Sequence, residues 1–347
     1  MPTQLIENLQ ISNFKCFKQL DVNGLAQVNL IGGKNNVGKT AFLEAVELLL
    51  AANKAYDLPD LIRKQLERRQ GARRRDLIEI DFFHQGATEI TLLSSSKACT
   101  IKSSFGLLDS QTTIGNDEAD NLLPTNILTL SVNNDKITRP IDRLFNRIAS
   151  LRPIGSSPDR KPFISSAKSD EYDIAISFGT LIDLGREDFL NASLALFDSN
   201  ICGLKQKATE RGVLLKLKLN NQDNLVLLSS LGEGVNRYIA ILCAIWANKD
   251  GFLLVDEIEN GIHYTNYKKL WEIIFKVSSD ANCQLFITTH SKECISAFNA
   301  VQLENNTAYA QYFEFYQNLK TGLIAASAID KEQLHYALTH EGRVRGE

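Results

Sequence analysis

Residues 33–40 read Gly-Lys-Asn-Asn-Val-Gly-Lys-Thr and satisfy G-x-x-x-x-G-K-[ST], a pattern that dictates the fold of the chain around it. Such a loop works only where a buried strand ends and a helix begins. There, successive backbone N–H groups converge on a phosphate and the helix dipole adds positive potential. The flanks agree: Val28–Ile31 is an apolar run and Ala41–Leu50 has amphipathic helical spacing. Gly33 and Gly38 let the backbone wrap closely, with Asn35, Asn36 and Val37 between them. Lys39 is placed to reach the β- and γ-phosphates, and the Thr40 hydroxyl to ligate Mg²⁺. The chain is expected to bind a nucleotide, with Mg²⁺ as cofactor.

Two later segments supply what such a loop lacks. Phe252-Leu-Leu-Val-Asp256-Glu257 reads as a strand delivering carboxylates to its C-terminal edge, where open α/β sheets bind ligands. Asp256 is expected to hold Mg²⁺ and Glu257 to act as general base or to orient the attacking water. Gln284–Thr288 reads as a neighbouring strand ending in Thr289-His290-Ser291. The His290 imidazole is placed to hydrogen-bond the γ-phosphate. Ser229–Gly234 opens a helix running to Ala247. Ser230 and Glu233 satisfy the S-x-x-E capping box. The same helix start, with Gly232 and Gly234, is also an anion site that can face a phosphate held by another subunit.

Bulk properties exclude several classes. The chain has 347 residues, 44% hydrophobic and 23% charged, with a net charge of −3. One elaborated domain or two lobes is therefore expected, and any nucleic-acid contact has to come from a local patch. The strongest patch is Arg63–Arg75, with seven Lys/Arg against Glu67 alone. A solvated helix face is the ordinary explanation of such a run, and a nucleic-acid contact is the other. No apolar stretch is long enough for a membrane span and no signal peptide is evident, so a cytoplasmic location is expected. The six cysteines lack C-x-x-C spacing, which argues against a metal site; Cys243 and Cys283 are expected in the core.

Along the chain, strands are expected at Leu5–Ile11, Leu20–Val28, Leu77–Phe83 and Glu89–Leu93. An irregular excursion follows over 94–126, then a mixed, mostly helical stretch from Ile137 to Lys207 containing a helix at Phe189–Phe197. Strands are expected again at Val213–Leu219 and Leu225–Leu228, and a helix at Tyr267–Ser278.

In combination these residues resemble the ABC-type ATPases of the OLD-like and SMC-like branch. The features are the phosphate loop, the Ser230-Leu-Gly-Glu-Gly-Val-Asn-Arg signature, the Leu254-Val-Asp-Glu-Ile-Glu-Asn-Gly-Ile-His segment and Thr288-Thr-His-Ser-Lys-Glu-Cys-Ile. The opening Ile11-Ser-Asn-Phe-Lys-Cys-Phe is similar to that branch's first strand, and the tail Glu332–Arg345 is similar too. The resemblance implies an α/β ABC-ATPase-type P-loop fold. It would have a mixed central sheet, an N-terminal antiparallel subdomain and a helical insertion before the signature. Lobes over 1–135, 136–208 and 209–347 of one ATPase domain are expected.

The resemblance further implies that Lys15 lies near the nucleotide and that Glu259–His263 (Asn260, Gly261 and His263 in particular) forms the D-loop across a dimer interface. Ser230, Gly232, Glu233 and Gly234 would act in trans, in an ATP-dependent homodimer. A Q-loop glutamine is not placed; Gln85 is a candidate. No Asp-x-Asp nuclease cluster follows His290, and there are no zinc hook or heptads. The expected role is a sensor or regulatory ATPase in prokaryotic defence or genome maintenance, working with a separately encoded nuclease or toxin. The alternative is an ATPase acting directly on DNA or RNA ends. A transporter subunit is disfavoured, because Asn260-Gly-Ile-His departs from the transporter D-loop.

Overall fold

The computed structural model describes residues 6–70, 81–106, 124–141, 162–167, 170–210, 212–305 and 309–340. In chain order, β1 (Asn8–Phe14), β2 (Phe17–Asn23) and β3 (Val28–Gly33) lead into α1 (Lys39–Ala51) and α2 (Leu58–Gln70). Next come β4 (Glu89–Leu93), β5 (Ala98–Gly106), β6 (Thr125–Val132), β7 (Asp135–Pro140) and β8 (Phe163–Ile164), then α3 (Glu171–Asp183) and α4 (Glu187–Phe197). A small sheet of β9 (Ile201–Thr209), β10 (Gly212–Leu219) and β11 (Val226–Leu227) precedes α5 (Glu233–Ala247) and β12 (Phe252–Val255). The remainder is α6 (Tyr267–Asp280), β13 (Gln284–Thr288), α7 (Lys292–Glu304), β14 (Ala310–Gln317), β15 (Ile324–Ile329) and α8 (Lys331–Thr339).

The central sheet runs β15-β14-β3-β13-β12-β8. It is parallel from β14 to β8, and β15 is antiparallel at one edge. A second, wholly antiparallel sheet runs β2-β1-β4-β5-β6-β7. The two-residue side-chain period divides the apolar core between the faces of the central sheet. Leu30, Leu253, Val255, Leu285 and Ile287 face a cluster built with α3–α7. Their chain neighbours Ile31, Leu254 and Phe286, with Phe313 and Phe315, face α1 and the antiparallel sheet. A sheet covered on both sides explains why β3, β12 and β13 read as continuous apolar runs. It also sends the chain after β3, β12 and β13 to one common edge, where the phosphate loop, Asp256 and His290 gather.

Several expectations are corrected. Residues 94–126 are not an irregular excursion, because 98–106 and 125–126 belong to regular strands; residues 107–123 lie outside the described residues. The expected Leu20–Val28 strand is divided: β1 and β2 turn at Lys15-Cys16, and Gly24 separates β2 from β3. Of the Leu77–Phe83 strand, residues 77–80 lie outside the described residues, and Phe83 makes only an isolated bridge to Phe14. Within the stretch expected to be mostly helical, 137–140 and 201–207 are strand; each pairs with a neighbouring β-strand, and that pairing overrides local helical preference. Cys243 and Cys283 are buried, as their apolar surroundings imply.

Candidate functional site

The loop from Lys34 to Gly38 turns directly from β3 into α1. Val37 is buried and anchors the loop, while Lys34, Asn35 and Asn36 are exposed. Asn36 has φ 65° and Gly38, the helix N-cap, φ 85°. A Cβ on Gly38 would sit 2.6 Å from Cys16 Sγ and 2.7 Å from Phe17 Cζ, so the β1–β2 turn requires a glycine here on two counts. Lys39 Nζ donates to the carbonyls of Gly33 and Lys34, each at 2.7 Å, which holds the ammonium over the loop. Burial lowers its pKa, against the opposing fields of Glu259, Glu257, Asp256 and Glu314.

Asp256 ends β12 beside this loop. Thr40 Oγ1 donates to its carboxylate at 3.1–3.2 Å, and Thr288 Oγ1, from β13, donates at 2.7 Å. Burial raises the Asp256 pKa, and the Thr288 and Thr40 hydrogen bonds oppose that rise. Glu257 adopts φ 50°, in the left-handed region that non-glycine residues rarely occupy. Its N–H donates to Thr288 Oγ1 at 2.8 Å, and Asn260 Nδ2 donates to its Oε2 at 2.8 Å. The parallel register of β12 and β13 brings His290 alongside: its Nδ1 lies 3.8 Å from Glu257 Oε1 and 3.1 Å from Glu259 Oε1. Glu259 Oε1 also accepts from the His290 N–H at 2.7 Å. Lys39, Thr40, Asp256, Glu257 and His290, spread over the sequence, therefore share one sheet edge.

The signature residues are placed differently. Ser230 ends a short 3-10 turn, Gly232 is the N-cap of α5, and no side chain caps that helix. The S-x-x-E capping box expected from sequence is therefore not formed. The chain enters α5 through Gly232 in extended conformation, leaving Ser230 and Glu233 exposed. Gly234 has a local reason: a Cβ there would fall on the Gly261 carbonyl oxygen, while Gly261, at φ 75°, meets the Glu233 side chain. Among the described residues no neighbour lies near a Cβ built on Gly232, so none of them demands a glycine there. Asn260 and Gly261 thus join the signature helix to Glu257 within one chain. His263 is exposed, with its ring against Tyr264.

Lys15 lies in the β1–β2 turn that abuts Gly38 of the loop and is paired internally. Its ammonium is buried 2.6 Å from Glu44 of α1 and lies over the rings of Phe14 and Phe82. Burial lowers its pKa to about 8, Glu44 opposing. The described part of the basic run is α2, whose arginines are engaged internally. Arg69 pairs with Glu44 at 2.7 Å, Arg68 pairs with Glu47, and Arg63 pairs with Asp60 and Glu67. Residues 73–75 lie outside the described residues. Gln85 is an exposed turn residue.

Sequence reasoning gave no role to Thr288, to the pairing of Glu259 with His290, to Arg237 or to Glu314. Thr288 and Glu259 border assigned residues, which is a weak signal. Glu314 sits on β14 opposite Gly32, a strand without any motif. The oxygen ligands at Thr40 and Asp256 fit Mg²⁺, which binds through one or two protein oxygens plus phosphate oxygens and water. Among the described residues no group of three or more His, Cys, Asp or Glu could hold a metal by itself. No helix among them is long and apolar enough to cross a membrane.

Residues 28–296 match the family AAA_21, described as "AAA domain, putative AbiEii toxin, Type IV TA system". The chain is 24% identical over 345 residues to an "ATP/GTP phosphatase" of Helicobacter pylori, covering 88% of this chain and 90% of that one. Over 54 residues it is 41% identical to an uncharacterized protein of Methanocaldococcus jannaschii, covering 16% of this chain and 25% of that one. The fold is similar to a crystal structure of an Smc head bound to the C-winged helix domain of ScpA, with TM-score 0.53 and 11% identity, covering 95% of this chain and 99% of that one. An Smc head with an extended coiled coil, bound to a ScpA domain from Pyrococcus furiosus, gives TM-score 0.50 at 12% identity, covering 97% and 99%. A phosphate loop, a facing Asp-Glu strand end and a strand-end histidine on an ABC-type head fold thus coincide with a family match over most of the chain: this protein is a P-loop ATPase and belongs to the AAA_21 family.

Proposed function

We propose that the protein is an ATP-operated dimer switch. Each copy binds Mg·ATP on residues 33–40, with Thr40 and Asp256 holding the ion, which neutralises charge on the phosphates. Lys39 neutralises the β- and γ-phosphates. Glu257, steadied by Asn260, orients water for in-line attack at the γ-phosphorus, and His290, tethered by Glu259, faces the same phosphate.

One observation carries the two-copy reading. The N-terminus of α5 presents exposed Ser230, Gly232 and Glu233 with no side-chain cap, and among the described residues none of these three hydrogen-bonds its own Lys39, Thr40 or Asp256 side chain. Uncapped N–H groups at a helix start suit a phosphate supplied from outside the chain. ATP then joins two copies through contacts made only in the closed state, and hydrolysis removes them. Moving such an equilibrium from nearly all open to nearly all closed takes about 5.5 kcal/mol of differential binding, and two nucleotides share it.

Size-exclusion chromatography with and without ATP tests this. Glu257→Gln is expected to elute as an ATP-dependent dimer, and Lys39→Ala to stay monomeric and unable to bind nucleotide. A Glu257→Gln protein that binds ATP and remains monomeric refutes the reading. The family's description as a toxin of a type IV toxin–antitoxin system supports a place in prokaryotic defence, with a separately encoded effector. A second reading, an ATPase acting on nucleic acid, draws support from a different element than the arginine run. In the β9–β10 hairpin, Lys205 stands opposite Lys216, and Lys207 and Lys218 share their face. Lys205 already pairs with Glu187 of α4 at 2.6 Å, so Lys207, Lys216 and Lys218 are the cations this face offers to a phosphate chain. Replacing these lysines with glutamine is expected to flatten the salt dependence of DNA binding; DNA binding that is weak and independent of salt removes this reading.

A further inference from the structure

Arg237 lies one turn into α5 and is 3% exposed, yet carries a charge that helix packing does not require. Its Nη1 donates to the carbonyl oxygens of Ser165 at 2.5 Å and Ala167 at 3.5 Å. Its Nη2 donates to those of Asp256 at 2.6 Å and Glu257 at 3.2 Å. Burial lowers its pKa while Asp256, Glu259, Glu233 and Glu257 raise it, and a guanidinium stays charged in proteins. An apolar side chain of similar volume would fill this space without the desolvation cost. The charge is explained by the four carbonyls it gathers.

Two of those carbonyls belong to the turn that aims Glu257. That residue's left-handed backbone is strained and persists only where its surroundings over-determine it. Thr288 fixes its N–H and Asn260 its carboxylate. Arg237 fixes its carbonyl, and it alone of the three comes from α5. Three residues earlier, Gly234 packs on the Gly261 carbonyl of the same turn. The start of α5, residues 260–261 and the Glu257 backbone are therefore one connected unit.

We propose that Arg237 is a positioning residue for Glu257 of its own chain, tying the water-directing carboxylate to the helix whose start receives the other copy's triphosphate. This rests on the two-copy reading above. Movement of α5 on docking is carried over roughly 4.5 Å, three residues at 1.5 Å each, to the 256 and 257 carbonyls. Each copy's Glu257 then answers to the nucleotide held by the other.

The test is ATP turnover by Arg237→Met and Arg237→Lys, followed by mixed dimers assembled from two differently tagged copies. Arg237→Met is expected to keep KM for ATP within about twofold and lose kcat on the order of 10–100-fold, with Arg237→Lys recovering part of the loss. An Arg237→Met copy paired with a Glu257→Gln copy is expected to turn over on the order of 10–100-fold more slowly than a wild-type copy paired with Glu257→Gln. A wild-type copy paired with one carrying both substitutions is expected to match a wild-type copy paired with Glu257→Gln. Unchanged kcat in Arg237→Met overturns the proposal, as does a loss that follows the copy donating the signature helix. If Arg237→Met does not fold, the kcat and KM of Arg237→Lys decide by the same split. Absence of an ATP-dependent Glu257→Gln dimer overturns the two-copy reading and the coupling with it. A normal dimer with an unimpaired Arg237→Met overturns the coupling alone.

Discussion

Glu314 is the carboxylate whose replacement tests the electrostatics of this site most directly. It lies on β14 opposite Gly32, is 7% exposed, and accepts a hydrogen bond from the Tyr312 hydroxyl through Oε2. Its Oε1 is buried without a partner among the described residues. Burial raises its pKa from 4.5 to about 7, against the lowering effects of Tyr312 and Lys39. A carboxyl whose pKa is higher folded than unfolded binds more protons in the fold between those two values. Its stabilising contribution is complete below about pH 4.5 and is lost as pH rises through about 7. At about 1.4 kcal/mol per pH unit, the full swing is ~3 kcal/mol. Glu314→Gln keeps an acceptor for Tyr312 and cannot ionise. It should match the wild type near pH 4.5 and exceed it by ~1–3 kcal/mol near pH 8. Urea denaturation of both proteins at several pH values isolates this group, because other titrations cancel in the difference. ATP binding should follow the same sign: the variant binds about fivefold more tightly near pH 8, roughly 1 kcal/mol of relieved repulsion, and equally near pH 6. A stability difference independent of pH between 5 and 8 would refute the reasoning.

Two further substitutions probe the framework. Glu44→Ala removes the carboxylate buried between Lys15 and Arg69 and leaves Lys15 buried and unpaired. It is expected to cost ~3–5 kcal/mol, read as a lower denaturant midpoint, and a loss below about 1 kcal/mol contradicts the assignment. Gly234→Ala forces a methyl onto the Gly261 carbonyl. It is expected to lower stability by ~1–3 kcal/mol and to reduce turnover through the displaced Glu257 turn, whereas Gly232→Ala leaves thermal stability unchanged.

The readable parts of the site were those in which chemistry and local structure coincide. Glycines of a phosphate loop, a carboxylate pair after an apolar strand and a histidine after another are each local signals. Placing three strand ends on one edge of a parallel sheet brings them together. Arg63–Arg75 shows the opposite case. As a sequence it is a basic stretch; in the fold, Arg68 and Arg69 of α2 pair with Glu47 and Glu44 of α1 while staying partly exposed, and residues 71–75 lie outside the described residues. The capping box failed for a similar reason, because the chain enters α5 through an extended Gly232 and not through Ser230.

The sequence alone determined that a phosphate-loop motif at residues 33–40 lies at a strand-to-helix turn and that Asp256, Glu257 and His290 follow apolar strands, because those motifs need particular residue types at particular strand ends. Only the tertiary structure decided that Arg237 reaches the Glu257 turn, that Glu259 tethers His290, and that Glu314 lies beside the strand leading into the phosphate loop. These are contacts between distant segments, set by sheet order and helix packing; no spacing along the chain records them.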